Sequence, residues 1–285
     1  MKKYACNFLY KYSESEMLAL LTNALDVLGF EPTYMAIFFN EFEKPLDDIT
    51  YDKKYLFEIL KSAPISITLK SQLYDEGKRE TNNWFRIKLY LDRPYDSDSC
   101  SFEWNNTNLD FLIDSDKFSV FLSSPNLVYA YCYDQYDCMN QSNNRIDSFV
   151  LEHPNKSYKI AKDHLNDDVI DVSKHWGRYV NTLEFTFMAA PLMWFGEDYF
   201  KIIPKEKLLK FKGAILINHF SFDLVHIQLF ALYDDPSMIK NRERQQMFWE
   251  TFDLEKKAVQ YEEDRPFDFI KWYKEKAAKK KRKRK

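Results

Sequence analysis

Residues 190–209 read APLMWFGEDYFKIIPKEKLL, and this segment is the most informative one about the fold. It combines four aromatic side chains with one glycine and two prolines, and it contains no serine, threonine, cysteine or histidine. This composition predicts a turn-rich unit that packs and does not carry out a reaction. We expect Trp194 and Phe195 to fill the core. Gly196 and Pro204 are expected to shape turns, because glycine permits unusual backbone angles and proline fixes one.

Apolar periodicity on both sides of this segment predicts strands and helices without a regular βαβ order. Strands are predicted at residues 3–12, 34–42, 65–69, 84–91, 127–133, 183–188, 214–219 and 222–230. Helices are predicted at residues 13–28, 52–63 and 204–211, followed by a long charged helix from Asp235 towards Tyr261 and a short one near Pro266. The sequence therefore predicts an α+β fold, with a mixed or antiparallel sheet, several packed helices and a long C-terminal helix.

Two polar segments interrupt this pattern. Residues 92–116 are acidic and irregular, and residues 134–161 are rich in Asn, Ser, Asp and Gln. Such compositions are typical of loops. The second segment is the expected boundary if the globular region, residues 1–273, divides into two lobes. Residues 274–285 are expected to form a disordered basic tail.

Glycine is scarce, since the 285-residue chain contains only five glycines and none of them are clustered. Average usage of about 7% would give roughly twenty. Loops that hold phosphate groups need glycines so that backbone N–H groups can approach the anion closely. A Rossmann or P-loop nucleotide site is therefore not expected, and no cofactor is predicted.

Charge is distributed unevenly along the chain. The net charge is −3, but the last seven residues contribute +7, so the remaining residues carry −10. An acidic surface favours association with cationic proteins, among them toxins that act on nucleic acid, although it can also serve solubility alone. The basic run can bind nucleic acid through counterion release, act as a localisation signal, or only solubilise the terminus. Its members are Lys279, Lys280, Lys281, Arg282, Lys283, Arg284 and Lys285.

Cysteines offer few signs of catalytic chemistry. Cys6, Cys100, Cys132 and Cys138 are expected to be reduced thiols in a cytosolic protein. A nucleophilic pair of a cysteine with His153 can be imagined, but sequence spacing does not supply the geometry that such a pair needs. Structural thiols that behave as small hydrophobic groups are the favoured interpretation.

Histidines give a second kind of candidate. His219, Asp223 and His226 are residue types that bind zinc, but alternation along a strand places His226 on the face opposite Asp223. Ordinary hydrogen-bonded histidines are therefore favoured. Residues 175–178, HWGR, could bind an anion or form a turn packed by Trp176. The sequence thus predicts neither an enzyme nor a metal site.

The sequence also bears on location in the cell. It contains no run of 18 apolar residues, so no membrane-spanning helix is expected. Polar residues such as Asn7 and Lys11 interrupt any signal-peptide core near the N-terminus. We therefore expect a cytoplasmic protein without membrane contact.

The segment quoted first resembles part of the immunity proteins of bacterial polymorphic-toxin systems, which include contact-dependent and type VI secretion systems. The residues that carry the likeness lie within about twenty positions and are Met193, Trp194, Phe195, Gly196, Phe200, Pro204 and Leu208. The resemblance implies that these residues mostly define the fold. It also implies a cytosolic inhibitor without a catalytic site, which binds one cognate toxin and neutralises it by occlusion.

Two functions are favoured from the sequence, and a third, an enzyme of unfamiliar type, would need a pocket with perturbed titratable groups near His219, His226 or Cys132. For an immunity-type inhibitor, acidic turn-rich segments are the expected contacts with a basic toxin. The residues chosen for charge and expected exposure are Asp96, Asp98, Asp134 and Asp137. If the basic tail carries the function instead, the chain is a nucleic-acid-associated accessory protein.

Overall fold

The computed structural model describes residues 3–11, 20–22, 25, 31–38, 46–60, 66–71, 85–90, 98–105, 116–152, 157–163, 166–182, 185–220 and 223–264. The predicted basic tail, the predicted helix near Pro266, and the residues Asp96 and His153 lie outside this part of the chain. All structural statements below refer to the described residues.

Ten strands form one antiparallel sheet, and two further pairs form small ribbons. The strands are β1 (Lys3–Tyr10), β2 (Tyr34–Phe38), β3 (Leu46–Thr50), β4 (Ser66–Lys70), β5 (Phe85–Tyr90), β6 (Asp98–Asn105), β7 (Leu127–Asp134), β8 (Ile160–Lys162), β9 (Asp168–Ile170), β10 (Tyr179–Asn181), β11 (Thr186–Met188), β12 (Leu192–Phe195), β13 (Leu216–Phe220) and β14 (Leu224–Gln228). Their order in the large sheet is β13-β14-β12-β7-β1-β6-β5-β4-β2-β3. The ribbons pair β8 with β9 and β10 with β11.

Helices pack against this sheet, so the predicted α+β class is confirmed. They are α1 (Lys53–Leu60), α2 (Asp116–Leu122), α3 (Gln135–Ser142), α4 (Ile146–Glu152), α5 (Lys205–Leu209), α6 (Ile239–Phe252) and α7 (Leu254–Asp264), with a 3-10 helix at Glu197–Lys201. Residues 20–22 and 25, within the predicted first helix, are also helical. The predicted C-terminal helical segment is confirmed, and Asp253, with a left-handed φ of 51°, divides it into α6 and α7.

Alternating side chains of the central strands enter two hydrophobic clusters on opposite faces of the sheet. In β12, Leu192 and Trp194 belong to one cluster, whereas Met193 and Phe195 belong to the other. This follows from strand geometry, because successive side chains point to opposite faces. The strand predicted at residues 84–91 is confirmed as β5, and it shows the same alternation, with Ile87 and Leu89 buried and Arg86 and Lys88 half-buried.

Several local predictions are wrong. Residues 92–116 are not simply irregular, because β6 lies within them and pairs with β1 and β5. Residues 134–161 are not a loop, because α3, α4 and the start of β8 occupy them. The strand β7 before this segment pairs with β12 after it, so strands from both sides lie side by side in one sheet. The predicted turn-rich unit begins with a strand, since Leu192–Phe195 lies between β7 and β14.

The expectation of four reduced cysteines is also wrong. Cys6 and Cys132 lie directly opposite each other on the adjacent strands β1 and β7, with their Cα atoms 4.1 Å apart, and form a disulfide. Cys100 and Cys138 are free and buried. Sequence spacing could not predict the bridge, because 126 residues separate its two cysteines and only the pairing of the strands brings them together.

Candidate binding surface

Of the residues that carry the resemblance, Met193, Trp194 and Phe195 lie in β12, and the others follow in the turn, the 3-10 helix and α5. Trp194 and Phe195 are buried in the two clusters, which confirms that they fill the core. Gly196 has an extended backbone that any residue could adopt. Glycine is needed there because a Cβ would overlap the carbonyl oxygen of Leu127. Pro204 lies at the N-cap of α5, and Leu208 of that helix is buried.

Two of the acidic residues chosen as toxin contacts are not exposed. Asp134 is 8% exposed, and its Oδ1 accepts hydrogen bonds from the backbone N–H groups of Tyr136 (2.9 Å) and Asp137 (3.2 Å). It therefore caps the N-terminus of α3, where orphan N–H groups and the helix dipole favour a carboxylate. The carboxylate of Asp137 pairs with Arg242 of α6. The prediction that Asp134 and Asp137 are exposed is therefore wrong. A third candidate, Asp98, is the first residue of β6.

The segment that had been predicted as loop forms a compact unit beside the sheet. The backbone N–H of Ile170 donates to the carbonyl of Asn144 (2.8 Å), and that of Asp171 donates to Lys159 (2.8 Å). The rings of Phe149 and Tyr158 pack edge to face at 5.6 Å. These contacts join α3, α4, β8 and β9, and we call the described residues between Gln135 and Asp171 the α3–β9 unit.

Apolar side chains are exposed on the α3–β9 unit. Leu151 of α4 is 84% exposed and Met139 of α3 is 62% exposed. Other large apolar side chains of the unit that are exposed are Tyr136, Val150, Tyr158 and Ile160. Single exposed apolar residues are ordinary, whereas a contiguous exposed apolar patch is typical of a surface that binds a partner.

The same unit is acidic. Residues 135–171 contain seven acidic and four basic residues, and three of the carboxylates, those of Asp137, Asp147 and Asp168, lie in ion pairs. A hydrogen bond from Arg145, and then one from the Ser148 backbone, lower the pKa of Asp147, while the Ser173 side chain and backbone lower that of Asp171. Both carboxylates are therefore ionised at neutral pH, and Asp147 is paired with Arg145.

Polar contacts hold the α3–β9 unit on the rest of the fold. Arg242 of α6 donates to Oδ2 of Asp137 at 2.9 Å, and the backbone N–H of Tyr179 donates to the hydroxyl of Ser142 at 3.1 Å. Nδ1 of His175 lies 3.2 Å from the carbonyl oxygen of Gln141. These contacts fix the unit on the rest of the fold.

The predicted anion candidate at residues 175–178 is a packing element. The guanidinium of Arg178 lies 4.1 Å from the centre of the Trp249 ring and pairs with Glu255. Trp249 in turn donates its Nε1–H to the carbonyl of Trp176 at 3.0 Å. Because Arg178 is only 2% exposed and already has an anionic partner, the turn interpretation is the one that fits.

The structure does not bring the candidate metal ligands together. His219 lies 3.7 Å from Asp223, but the ring of His226 stacks on Trp194 at 4.8 Å, and burial lowers its pKa to about 4. Within the described ranges, no three His, Cys, Asp or Glu side chains are grouped to hold a metal. Cys132 lies in the disulfide, and burial raises the pKa of the Cys138 thiol.

A cleft of about 450 Å³ opens beside α3. Its floor comes from one face of β1, β6 and β7, and its walls come from α3, β10 and β11. Alternate residues of β7 supply three tyrosines to it, Tyr129, Tyr131 and Tyr133. The hydroxyl of Tyr129 and Oε1 of Gln135 are buried without a hydrogen-bond partner among the residues that the structure describes.

Sequence reasoning missed both the cleft and the exposed apolar residues. The signal for the first was present, because tyrosine at every second position of a strand places three phenol rings on one face. The exposed residue Met139 lies on α3, and the sequence signal for that helix was Asp134, which occupies its N-cap position. The polar residues that follow Asp134 favour a loop by composition alone, and this hid the helix.

Comparison of the chain with known protein families, with curated proteins and with solved structures gives no significant match. Among the helices of the described ranges, none has the length and the apolar character needed to cross a lipid bilayer.

Proposed function

We propose that this chain is an immunity-type inhibitor, which binds a cognate bacterial toxin and neutralises it by occlusion. The observation that carries this proposal is the α3–β9 unit, where several apolar side chains are exposed in a segment with more acidic than basic residues. The motif at residues 193–208 adds its resemblance to immunity proteins.

The two properties of the unit have separate roles in binding. Exposed residues such as Leu151 and Met139 supply apolar area, and burying it against a partner drives association. An ionised carboxylate such as that of Asp171 attracts a cationic partner and speeds its encounter. The partner that fits is a basic toxin with an apolar patch of its own.

The direct test is co-purification of the chain with the product of a neighbouring toxin gene, together with rescue of intoxicated cells. The double variant Leu151→Ala, Met139→Ala is expected to weaken binding about tenfold or more, since truncating the few residues that dominate an interface costs more than about 1 kcal/mol each. Ile215→Ala is the matched control, because Ile215 is also exposed but precedes β13 at one edge of the sheet.

Either of two results would contradict the proposal. One is a full-length chain that binds no toxin and rescues no intoxicated cell. The other is toxin binding that the double variant and the control reduce equally, which would remove the α3–β9 unit as the binding surface.

A second candidate function rests on the seven consecutive cations at residues 279–285. In this alternative the chain is an accessory protein that contacts nucleic acid through its tail. Deletion of residues 279–285 is then expected to abolish retention on duplex DNA and RNA and to flatten the dependence of binding on salt. Equally weak binding by the full-length and truncated chains at low salt would exclude it.

A further inference from the structure

We propose that the chain forms a two-fold symmetric dimer through the edge strand β13, which pairs in antiparallel orientation with β13 of a second copy. This interaction goes beyond the proposed inhibitor function, because it involves no toxin. Three properties of the strand carry the inference: its outward backbone groups, the order of its side chains, and the charges beyond its two ends.

The backbone of β13 directs hydrogen-bonding groups away from the sheet. Among the described strands, β13 pairs with β14 alone. The backbone N–H of Leu229, directly after β14, donates to the carbonyl of Pro191 at 2.8 Å. Because these bonds alternate along a strand, the odd-numbered residues of β14 bond to β12 and the even-numbered ones bond to β13. Even-numbered residues of β13 lie opposite the latter, so the backbone groups of Ile217 and His219 point out of the sheet.

The composition of β13 leaves this edge open to a further strand. Edge strands commonly carry charged residues or proline, which oppose pairing with another chain. The other edge strand of the sheet, β3, contains Asp47 and Asp48. In contrast, β13 has the sequence LINHF, without aspartate, glutamate, lysine, arginine or proline. Leu216, and Ile215 directly before it, are exposed apolar side chains at this edge.

The order of its side chains makes β13 complementary to itself. A two-fold axis at Asn218 places Ile217 opposite His219 of the second copy, and these are the residues with outward backbone groups, so they exchange hydrogen bonds. On the other face, Leu216 lies opposite Phe220 of the second copy, and cross-strand pairs of this kind are stabilising. The amide of Asn218 faces its own counterpart and can both donate and accept across the axis.

Charges beyond the ends of β13 favour the same arrangement. Lys210 and Lys212 precede the strand and are exposed. Asp223 follows the strand, and its side chain is 61% exposed although it pairs with Lys205. Antiparallel pairing brings the beginning of one strand beside the end of the other, so the lysines of each copy approach Asp223 of the other. Complementary charges speed association and fix the register, and a second copy supplies them.

The expected dimer is weak, because β13 is only five residues long. Stable interfaces bury about 1,200–2,000 Å² in total, which is more than two short strands cover. We therefore expect a dissociation constant of about 10–100 µM, in the range of transient interactions. Analytical ultracentrifugation of the full chain, from about 1 µM to about 300 µM, measures this change from monomer to dimer.

Lysine substitution at the axis tests the contact. Asn218 is exposed, and Asn218→Lys places two like charges directly opposite each other, so dimerisation should weaken at least about tenfold. Thr50→Lys is the matched control, because Thr50 is an exposed polar residue of the other edge strand, β3. This control is expected to leave the dissociation constant unchanged.

A charge exchange distinguishes the two-fold arrangement from a general effect of the substitution. Asn218→Glu alone should also weaken dimerisation, but an equimolar mixture of the Asn218→Lys and Asn218→Glu chains should recover it, since opposite charges then meet at the axis. The proposal is overturned if the original chain stays monomeric up to about 300 µM or forms species larger than a dimer. It is also overturned if Asn218→Lys does not weaken the dimer, or if the mixture does not restore it.

Discussion

The guanidinium of Arg242 forms an ion pair with the carboxylate of Asp137, a residue 105 positions earlier in the chain, and so joins α6 to α3. Both side chains are less than one-fifth exposed. This ion pair holds the α3–β9 unit against α6. Gly177 lies beside the pair, and a Cβ at this position would collide with the side chains of Arg242 and Asp137.

Removing the cation of this pair should destabilise the protein. Arg242→Ala leaves the Asp137 carboxylate without its main partner, and we expect the free energy of unfolding to fall by about 2 kcal/mol, as for hydrogen bonds to charged groups. Arg145→Ala is the control, because the Arg145–Asp147 pair is mostly exposed and solvent screens it. Chemical denaturation measures both, and equal losses would contradict the structural role of Asp137.

A side chain at position 196 should be poorly tolerated. Gly196→Ala places a methyl group against the carbonyl oxygen of Leu127, which belongs to the backbone of the neighbouring strand β7 and cannot turn aside. We expect a loss of about 3 kcal/mol, at the upper end of overpacking costs. Thermal unfolding measures it. At Gly213 the new methyl group would meet side chains, those of Phe211 and Met247, so Gly213→Ala should cost less.

Thiol counting tests the disulfide. The unfolded, unreduced chain should react with two equivalents of N-ethylmaleimide, at Cys100 and Cys138, and the reduced chain with four. The folded chain should react slowly, because both free thiols are buried and burial raises their pKa values. Mass spectrometry reads the number of additions. Four additions without reductant would exclude a bridge between Cys6 and Cys132.

Protonation of His226 should oppose folding at mildly acidic pH. Its pKa is about 4 in the folded chain, below the usual 6.5, because burial disfavours the charged ring. The unfolded state therefore binds the proton first, and stability falls as the pH drops below about 6.5. The loss at pH 4 relative to pH 7 is about 3 kcal/mol.

The variant His226→Phe isolates this effect from the titration of other groups. Phenylalanine keeps a ring against Trp194 but cannot take up a proton. The difference in unfolding free energy between the variant and the original chain should therefore grow by about 3 kcal/mol from pH 7 to pH 4. A difference that stays constant over this range would show that His226 is not protected from protonation.

Local periodicity predicted much of the secondary structure. The alternation of β5 and the apolar spacing of α1 are readable because each depends on neighbours within a few positions. The predictions failed where a polar residue had a distant partner. Glu103 belongs to the acidic segment that was predicted to be irregular. It is buried in β6 because the neighbouring strand β5 places Arg86 and Lys88 beside its carboxylate. The α3–β9 unit was missed in the same way, since its polar residues cap helices and bind α6.

The sequence alone determined the α+β class, the burial of Trp194 and Phe195, and the place of most strands, because these follow from the spacing of apolar residues. Only the tertiary structure decided which strands are neighbours. That pairing joined Cys6 to Cys132 and gathered three tyrosines of β7 into a cleft, and the packing of α6 against α3 paired Asp137 with Arg242. The physical reason is that contacts across a sheet link residues a hundred or more positions apart, and no local pattern records such pairs.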